Sequence, residues 1–505
     1  MHEAGGWVLL ESAIADLPAD LRWLYESGAV TIEQLGSIFH TLGAASAVDL
    51  LAAARSGTMQ QLPGFDASVE ANVLATLPNL RAAIPRIPLG RAMAIAGPIL
   101  SRLHNARGIE SAVPVGSLRR GHDTVGDIEI VATAVDATAA FDELVQCPDT
   151  ARTLHRSDRR LYLLTDRVQV GVRCPPPQVS GAALLHLTGS VAHFDALRGL
   201  AAERGWSLDS GGLARGAGAP RIAESEEAIY AALGLPWIPP EIREGTEAIT
   251  AAQRGDLPTL ITRADIRGDL HMHTQWSDGR DTIEAMVRAC VALGYEYMAI
   301  TDHSPHSAAS RNLSVDGVKR QADEIAAVRE RHPALTILHG CEVDILPNGR
   351  LDFSDRLLER FDIVLASLHD EAGHVGGQLF ERYLSAFRHP LVTIITHPTN
   401  RQMPYRSGYA LDYEQLFAVA AESGTVVEID GAPGHLDLNG TLARQAVAAG
   451  ALLSIDSDSH RAETLGLQME LGLLMARHGW VEPRHVLNTR SIAELRSLIA
   501  AKRQG

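Results

Sequence analysis

Lysine is almost missing from this sequence. It stands only at Lys319 and Lys502, so nearly all of the 45 basic residues in the 505-residue chain are arginine. Chemistry that needs a lysine Schiff base is therefore excluded from everything before residue 319. Cysteine is scarce as well. Cys147, Cys174, Cys290 and Cys341 are scattered, with no CxxC spacing. That argues against a disulfide framework or a thiolate zinc site, and reduced thiols fit a cytoplasmic protein. No apolar run reaches the roughly 18 residues of a membrane span. The opening stretch MHEAGGWVLLESAIADLP has an early Glu and no basic segment, so no signal peptide is expected. Excess positive charge is also lacking. The net charge of -16 excludes a protein that coats nucleic acid through its overall field, though not one with a local basic groove. There is no internal repeat and no low-complexity tract.

What is present is globular in kind, with 46% hydrophobic and 21% charged residues in a length that suits about three domains. Apolar spacing of three to four residues, ending at glycine, predicts short helices in LRWLYESG, TIEQLGSIFHTLG and AVDLLAAARSG. A further helix is expected to begin at Ser68, and another to run over 89–106. Strand-type segments follow at SAVPVG, DIEIVATA, RRLYLLT and RVQVGVRC. Residues 181–248 return to helix and turn, and 249–266 read as a linker. From residue 267 to 505 seven strand-like runs alternate with helical stretches. The expectation is an α/β chain whose C-terminal part is a distorted parallel (β/α)7 barrel.

In that last block, histidines and acids fall at the ends of the strands. His271 and His273 end the first, with Asp278 in the loop behind them. Asp302 and His303 end the second, Glu342 the third, His369 the fourth and His397 the fifth. Glu428 and Asp430 end the sixth, and Asp458 and His460 the seventh. Parallel strands are normally continuous apolar runs, so polar ends on all seven point to a shared purpose. In a parallel barrel those ends meet at one mouth. Imidazole and carboxylate together suit Mn, Zn or Fe, and the donors exceed what one ion needs. Two or three divalent ions about 3.5–4 Å apart, sharing a carboxylate and activating a water, are the arrangement for phosphate-ester hydrolysis. His306, His332, His374, His389 and His435 are expected at the surface or behind the ligands. Asp302 is expected to orient a ligand by hydrogen bonding.

The motifs HMHTQWSD, ITDHS, GCEVDIL, ASLHD, THPTNR and DSDSH, in this order, resemble the PHP (polymerase and histidinol phosphatase) domain family. The resemblance implies a first metal on His271, His273, Glu342 and Asp458. It implies a second on Asp278, His303 and His460, and a third on Glu342, His369 and His397, with Glu342 bridging. Glu342 and Asp458 would be the catalytic carboxylates. Arg401 matches a basic family position and is expected on a substrate phosphate.

The N-terminal part carries GSLRRGHDTVGDIEI. Gly116 and Ser117 are expected to open a helix whose N–H groups, with Arg120, cradle phosphate. Asp127 and Glu129 are two apart on a strand and share a face, as carboxylates that hold two metals do. With LPADLRWLYESG, LPGFDASVEANVL, LLHLTGSVAHFDALRGLA and LGLPWIPPEIREG, this half resembles the bacterial family X DNA polymerases, relatives of polymerase beta that often carry a C-terminal PHP domain. That resemblance implies a fingers-like helical region over 1–88 with degenerate helix-hairpin-helix turns, a nucleotidyltransferase palm over 89–180 and a thumb over 181–248.

The departures from that pattern carry the functional expectation. Glu129 stands where the family has a second Asp, and Gly171 where it has the third. His186 and Leu187 replace aromatics before TGS, and Phe194 replaces an Asn that meets the incoming base. LYESGAVTIEQL lacks the Gly-x-Gly turn that grips a DNA phosphate. The expectation is a metal-dependent phosphoesterase, a 3′–5′ exonuclease or 3′-end-processing enzyme of DNA repair acting at ends or gaps, with an inactive polymerase core. The alternatives are a small-molecule phosphomonoesterase of histidinol-phosphatase type, an active family X polymerase/exonuclease, and a non-catalytic DNA-binding scaffold.

Overall fold

The computed structural model describes residues 17–504 apart from 45, 84–85, 148–149, 151, 167, 216–220, 308 and 370–375. The opening segment read above for a signal peptide, through residue 16, and His374 thus lie outside the described residues. The chain divides near residue 257 into two units.

The first unit begins with helices α1 (Ala19–Glu26), α2 (Ala47–Arg55) and α3 (Ala67–Ala83), which share a core of Leu21, Leu24, Leu50, Met59 and Val73. The glycine stops are structural. Gly28, Gly43 and Gly57 all have positive φ, where a side chain would be strained. The start of α3 is capped two residues earlier than expected, by Asp66, whose Oδ1 accepts from the amides of Ser68 and Val69 at 2.9 Å.

Helix α4 (Leu89–Asn105) leads into a five-stranded sheet, the region expected to be a palm. Its strands are β1 (Ile109–Pro114), β2 (Ile128–Ala134), β3 (Arg152–Arg156), β4 (Arg160–Thr165) and β5 (Val168–Arg173). They lie in the order β1-β2-β5-β4-β3, with only β2 and β5 parallel. A short helix α5 (Gly116–Arg119) links β1 to the segment before β2. This register sets Gly171 directly between Glu129 and Tyr162. Strand β3 is only part-buried, and its weak alternation hid it in the sequence. Helices α6 (Ser180–Thr188) and α7 (Val191–Glu203) follow. The expected linker differs from expectation, because Glu247–Arg254 forms helix α8 with Ala248, Ile249 and Ala252 buried.

The second unit is built on seven parallel strands in chain order: β6 (Gly268–Asp269), β7 (Tyr297–Ile300), β8 (Thr336–Asp344), β9 (Ile363–Ser367), β10 (Ile394–Ile395), β11 (Val426–Asp430) and β12 (Leu453–Asp456). Helices α9 (Ile283–Ala292), α10 (Val315–Arg331), α11 (Gly376–Phe387), α12 (Tyr413–Ser423), α13 (Gly440–Ala448) and α14 (Leu465–His478) lie between or after them, and α15 (Ile492–Gln504) comes last. The ring closes just beyond the first and last strands. Met272 pairs with Ser459, and the His273 amide donates to the Ser459 carbonyl at 2.9 Å. At the strand starts, Tyr297, Ile363 and Val426 pack with Leu495 and Ile499 of α15. That apolar plug leaves the strand ends as the polar mouth.

Candidate metal centre and palm cavity

The donors expected at the barrel mouth fall into overlapping groups, and Glu342 near the end of β8 meets five of the imidazoles. Its Oε2 lies 2.9 Å from His303 Nδ1, 3.3 Å from His271 Nε2 and 3.4 Å from His273 Nε2. Its Oε1 lies 2.9 Å from His397 Nε2 and 3.4 Å from His369 Nε2. Asp458 Oδ1 is 3.0 Å from His273 Nε2 and 3.5 Å from His271 Nε2. Asp278 Oδ1 is 3.2 Å from His460 Nε2 and 3.6 Å from His303 Nε2. Three groups each have donor atoms within 4.8 Å of one another: His271, His273 and Glu342; His273, Asp278, His303 and His460; and His303, Glu342 and His369. His273 and His303 thus belong to two groups each, which the motif order alone did not suggest.

This donor set fits divalent cations. The Nε2 atoms of His271 and His273 are 3.1 Å apart in a fully buried place, a separation that a shared cation would explain. Burial alone would raise the Glu342 carboxyl; the imidazoles of His303, His271 and His369 outweigh it and hold it well below the usual range. His273 is pushed down to about 3 by burial and by the His303 and His460 rings, so it is neutral, the form that ligates. Burial opposes protonation of His271, but Glu428, Glu342 and Asp458 raise its pKa. His369 and His397 are raised against burial by Glu342. Protons on these rings balance the acids, and a bound cation would take their place.

Behind the donors stands a layer of carboxylates. Glu428, wholly buried in β11, accepts from His271 Nδ1 at 2.7 Å with one oxygen and from the His397 amide at 2.7 Å with the other. It fixes the tautomer of His271, leaving Nε2 for the centre. Asp344 accepts from His369 Nδ1 at 2.8 Å. Sequence reasoning missed it, although its place two residues after Glu342 on one strand put both on the same face. Asp302 accepts from Thr274, Ser277 and Gln321 at 2.5–3.1 Å, bracing the loop that carries Asp278. Gly279 in that loop presses on the backbone of His273 and Thr274, where a Cβ would have no room. His435 lies behind His397, ring to ring at 5.2 Å, while His306, His332 and His389 are remote, with polar partners of their own. Arg401 differs from expectation. It is 6% exposed, and its guanidinium donates to the carbonyls of His435, at 2.8 Å, and Leu436. It braces the loop after β11.

The five-stranded sheet of the first unit, expected to be a palm, tells a different story. A cavity of about 520 Å³ is lined by Gly116, Ser117, Arg120, Asp127, Glu129 and Phe194, among others. Glu129 is not free there. Its Oε2 accepts from Arg173 Nε at 2.7 Å, and the same guanidinium reaches Asp49 at 2.5 Å and Ser46 and the Tyr162 hydroxyl at 2.8 Å each. A Cβ at Gly171 would run into the Glu129 carboxylate and Tyr162. Asp127 lies just before β2, not within it. Arg120 is held by Glu244 at 2.7 Å and the Thr188 carbonyl at 2.6 Å. Phe194 is buried with its ring 4.8 Å from His186. Burial, with Arg173 and Arg55 nearby, pushes the His186 pKa down to about 4.

Comparison with known proteins matches two stretches of the chain to two families. Residues 183–244 match the DNA polymerase beta thumb, and residues 269–430 match the PHP domain. The chain is 33% identical over 494 residues to the DNA polymerase/3′-5′ exonuclease PolX of Bacillus subtilis, covering 97% of this chain and 86% of that protein. A probable phosphatase of Syntrophotalea carbinolica is 29% identical over 218 residues, 41% of this chain and 85% of that protein. A probable phosphatase of Acetivibrio thermocellus is 30% identical over 209 residues, 39% of this chain and 81% of that protein. With a polymerase-beta thumb, a PHP barrel and a PolX relative matched along almost its whole length, the chain belongs to the bacterial PolX family of DNA polymerases that carry a PHP domain.

Proposed function

We propose that this protein is a metal-dependent phosphoesterase that removes nucleotides from, or trims, DNA 3′ ends or gaps, and that its polymerase core makes no DNA. The observation that carries the first part is the convergence of imidazoles and acids on Glu342, with ligand roles for His271, His273, Asp278, His303, Glu342, His369, His397, Asp458 and His460. Two or three Mn, Zn or Fe ions held there would supply Lewis acidity and an activated water. The protein's own part is to fix the donors. Glu428 sets the His271 tautomer, Asp344 orients His369, and Asp302 holds the Asp278 loop. Chemistry supplied by ions held there would need no protein nucleophile. Kinship with the Bacillus polymerase/exonuclease supports DNA as the substrate, and scattered cysteines without CxxC spacing suit the cytoplasm.

The second part rests on the palm. Two-metal nucleotidyl transfer needs carboxylates that face both ions. Gly171 supplies none, and Glu129 is turned to Arg173. The structure likewise favours a bracing role for Arg401 over contact with phosphate.

The test offers the manganese-loaded full chain 3′-labelled single-stranded DNA, a gapped duplex and p-nitrophenyl phosphate, with a primer–template and nucleotides in parallel. Stepwise shortening from the 3′ end without extension is expected. Robust extension lost in Asp127→Ala would overturn the inactive palm. Rapid turnover of the small ester with none of DNA would replace the nuclease by a phosphomonoesterase, the reading that the probable phosphatases favour.

A further inference from the structure

The described donors of the metal centre are unevenly exposed, and His460 and Asp278 are the most open of them, ahead of His369 at 22%. His271, His273 and Glu342 have side chains 0% exposed, whereas Asp278 is 25% and His460 36% exposed. The side of Asp278 and His460 thus offers a substrate phosphate its most accessible approach to the donors. The chain as a whole carries a net charge of -16, so a polyanion approaching that side needs local positive charge.

Two arginines supply it. Arg280 follows Asp278 by two residues and is exposed, and its amide donates to the His460 carbonyl at 2.8 Å, so its backbone is fixed between the two exposed donors. Arg311, exposed in the loop after β7, reaches the same place from the other flank, with Nη2 3.4 Å from the Gly279 carbonyl. The next cation on this rim, Arg461, is paired with Glu463 at 3.2 Å. Gly279 sits between Asp278 and Arg280, so both guanidinium-bearing segments converge on the loop that carries an exposed donor.

We propose that Arg280 and Arg311 form a two-guanidinium clamp on this rim. It would take the phosphates of the strand next to the one being cleaved and make a polyphosphodiester a better substrate than an isolated phosphate ester. The inference rests on the phosphoesterase reading above and adds to it the residues that select a nucleic acid strand. Arginine suits the task because its fork binds phosphate oxygens in pairs and cannot lose its charge.

The experiment uses the full-length, manganese-loaded chain, a short oligothymidylate and p-nitrophenyl phosphate, with Arg280→Gln, Arg311→Gln, the double variant and the double lysine variant. Metal content is measured on each. Roughly 0.7 of the log–log salt slope belongs to each single-strand phosphate contact. The double glutamine variant is therefore expected to lower the slope of kcat/KM for the oligonucleotide by about 1.4. Its oligonucleotide KM should rise about tenfold or more at low salt, with turnover of the small ester within about twofold of wild type. The lysine pair should keep most of the slope. An unchanged oligonucleotide KM and slope in the double glutamine variant would overturn the clamp. So would a parallel loss of metal and of small-ester turnover, which would make the arginines props of the Asp278 loop. A wild-type chain that holds metal yet cleaves neither compound would overturn the phosphoesterase reading itself, and the clamp with it.

Discussion

In the barrel, a buried glutamate is ringed by imidazoles; in the palm, a glutamate on a strand is gripped by a guanidinium. Glu342 faces His271, His273, His303, His369 and His397. Glu129 faces Arg173. The difference lies in what each partner can give up. An imidazole sheds its proton near neutrality and becomes a ligand. A guanidinium keeps its charge at any ordinary pH. The first arrangement can exchange protons for divalent ions, and the second has its cation built in. One carboxylate sits among groups that a cation could displace, and the other in a closed ion pair.

The comparison breaks most visibly at Glu342. Glu342→Gln should lose several kcal/mol of transition-state stabilisation, roughly 10³-fold in rate or more. Glu129→Gln should leave hydrolysis within about twofold, since Glu129 takes no part in the barrel chemistry. Equal losses in the two variants, measured on 3′-labelled DNA, would erase the distinction. The next largest effect falls on stability. Arg173→Met leaves Glu129 and Asp49, with side chains only 13% and 11% exposed, without their shared cation. Breaking such a network costs on the order of 3–5 kcal/mol. Calorimetry should show the N-terminal unit melting earlier while hydrolysis persists.

Glu428→Gln sharpens the contrast within the barrel itself. An amide at that position competes as a donor with His271 Nδ1 and the His397 amide, so metal affinity should fall about 10–100-fold, the usual cost of losing such a partner. Titration of the apo protein with manganese would measure it. The smallest effect is a pH dependence in the N-terminal unit. Burial would raise the Glu226 carboxyl, but Arg243 and Arg119 hold it at about 2. A carboxyl depressed in the folded state stabilises it fully above its unfolded pKa of about 4.3. That stability is lost as pH falls from there toward about 2. Melting temperature should therefore drop over that window, and Glu226→Gln should flatten the drop.

Much of the barrel was legible because its signals are local. Strand ends with His or acid, after apolar runs, name both the element and the face. What lay hidden were partners far apart in the chain. Glu428 shows its place at the end of β11, but nothing in the sequence tells that it meets His271, 157 residues earlier. Arg173 reads as the polar end of a strand, and its bond to Asp49 spans 124 residues. Arg401 showed its charge but not its inward direction. The expected linker hid a helix because Glu247–Arg254 is short and its apolar stripe, Ala248, Ile249 and Ala252, is narrow.

The seam of the barrel has a consequence for how the protein is made. His271 and His273 lie beside Ser459, which falls between Asp458 and His460. Two pairs of candidate donors are thus supplied from opposite ends of the domain. A ribosome must release nearly the whole domain before those pairs can meet. A chain that stalls or is clipped before β12 carries the imidazoles of the first five strands but lacks the pair that completes the cluster. Such a fragment lacks Asp458 and His460, so the donor cluster is complete only once the last strand has left the ribosome.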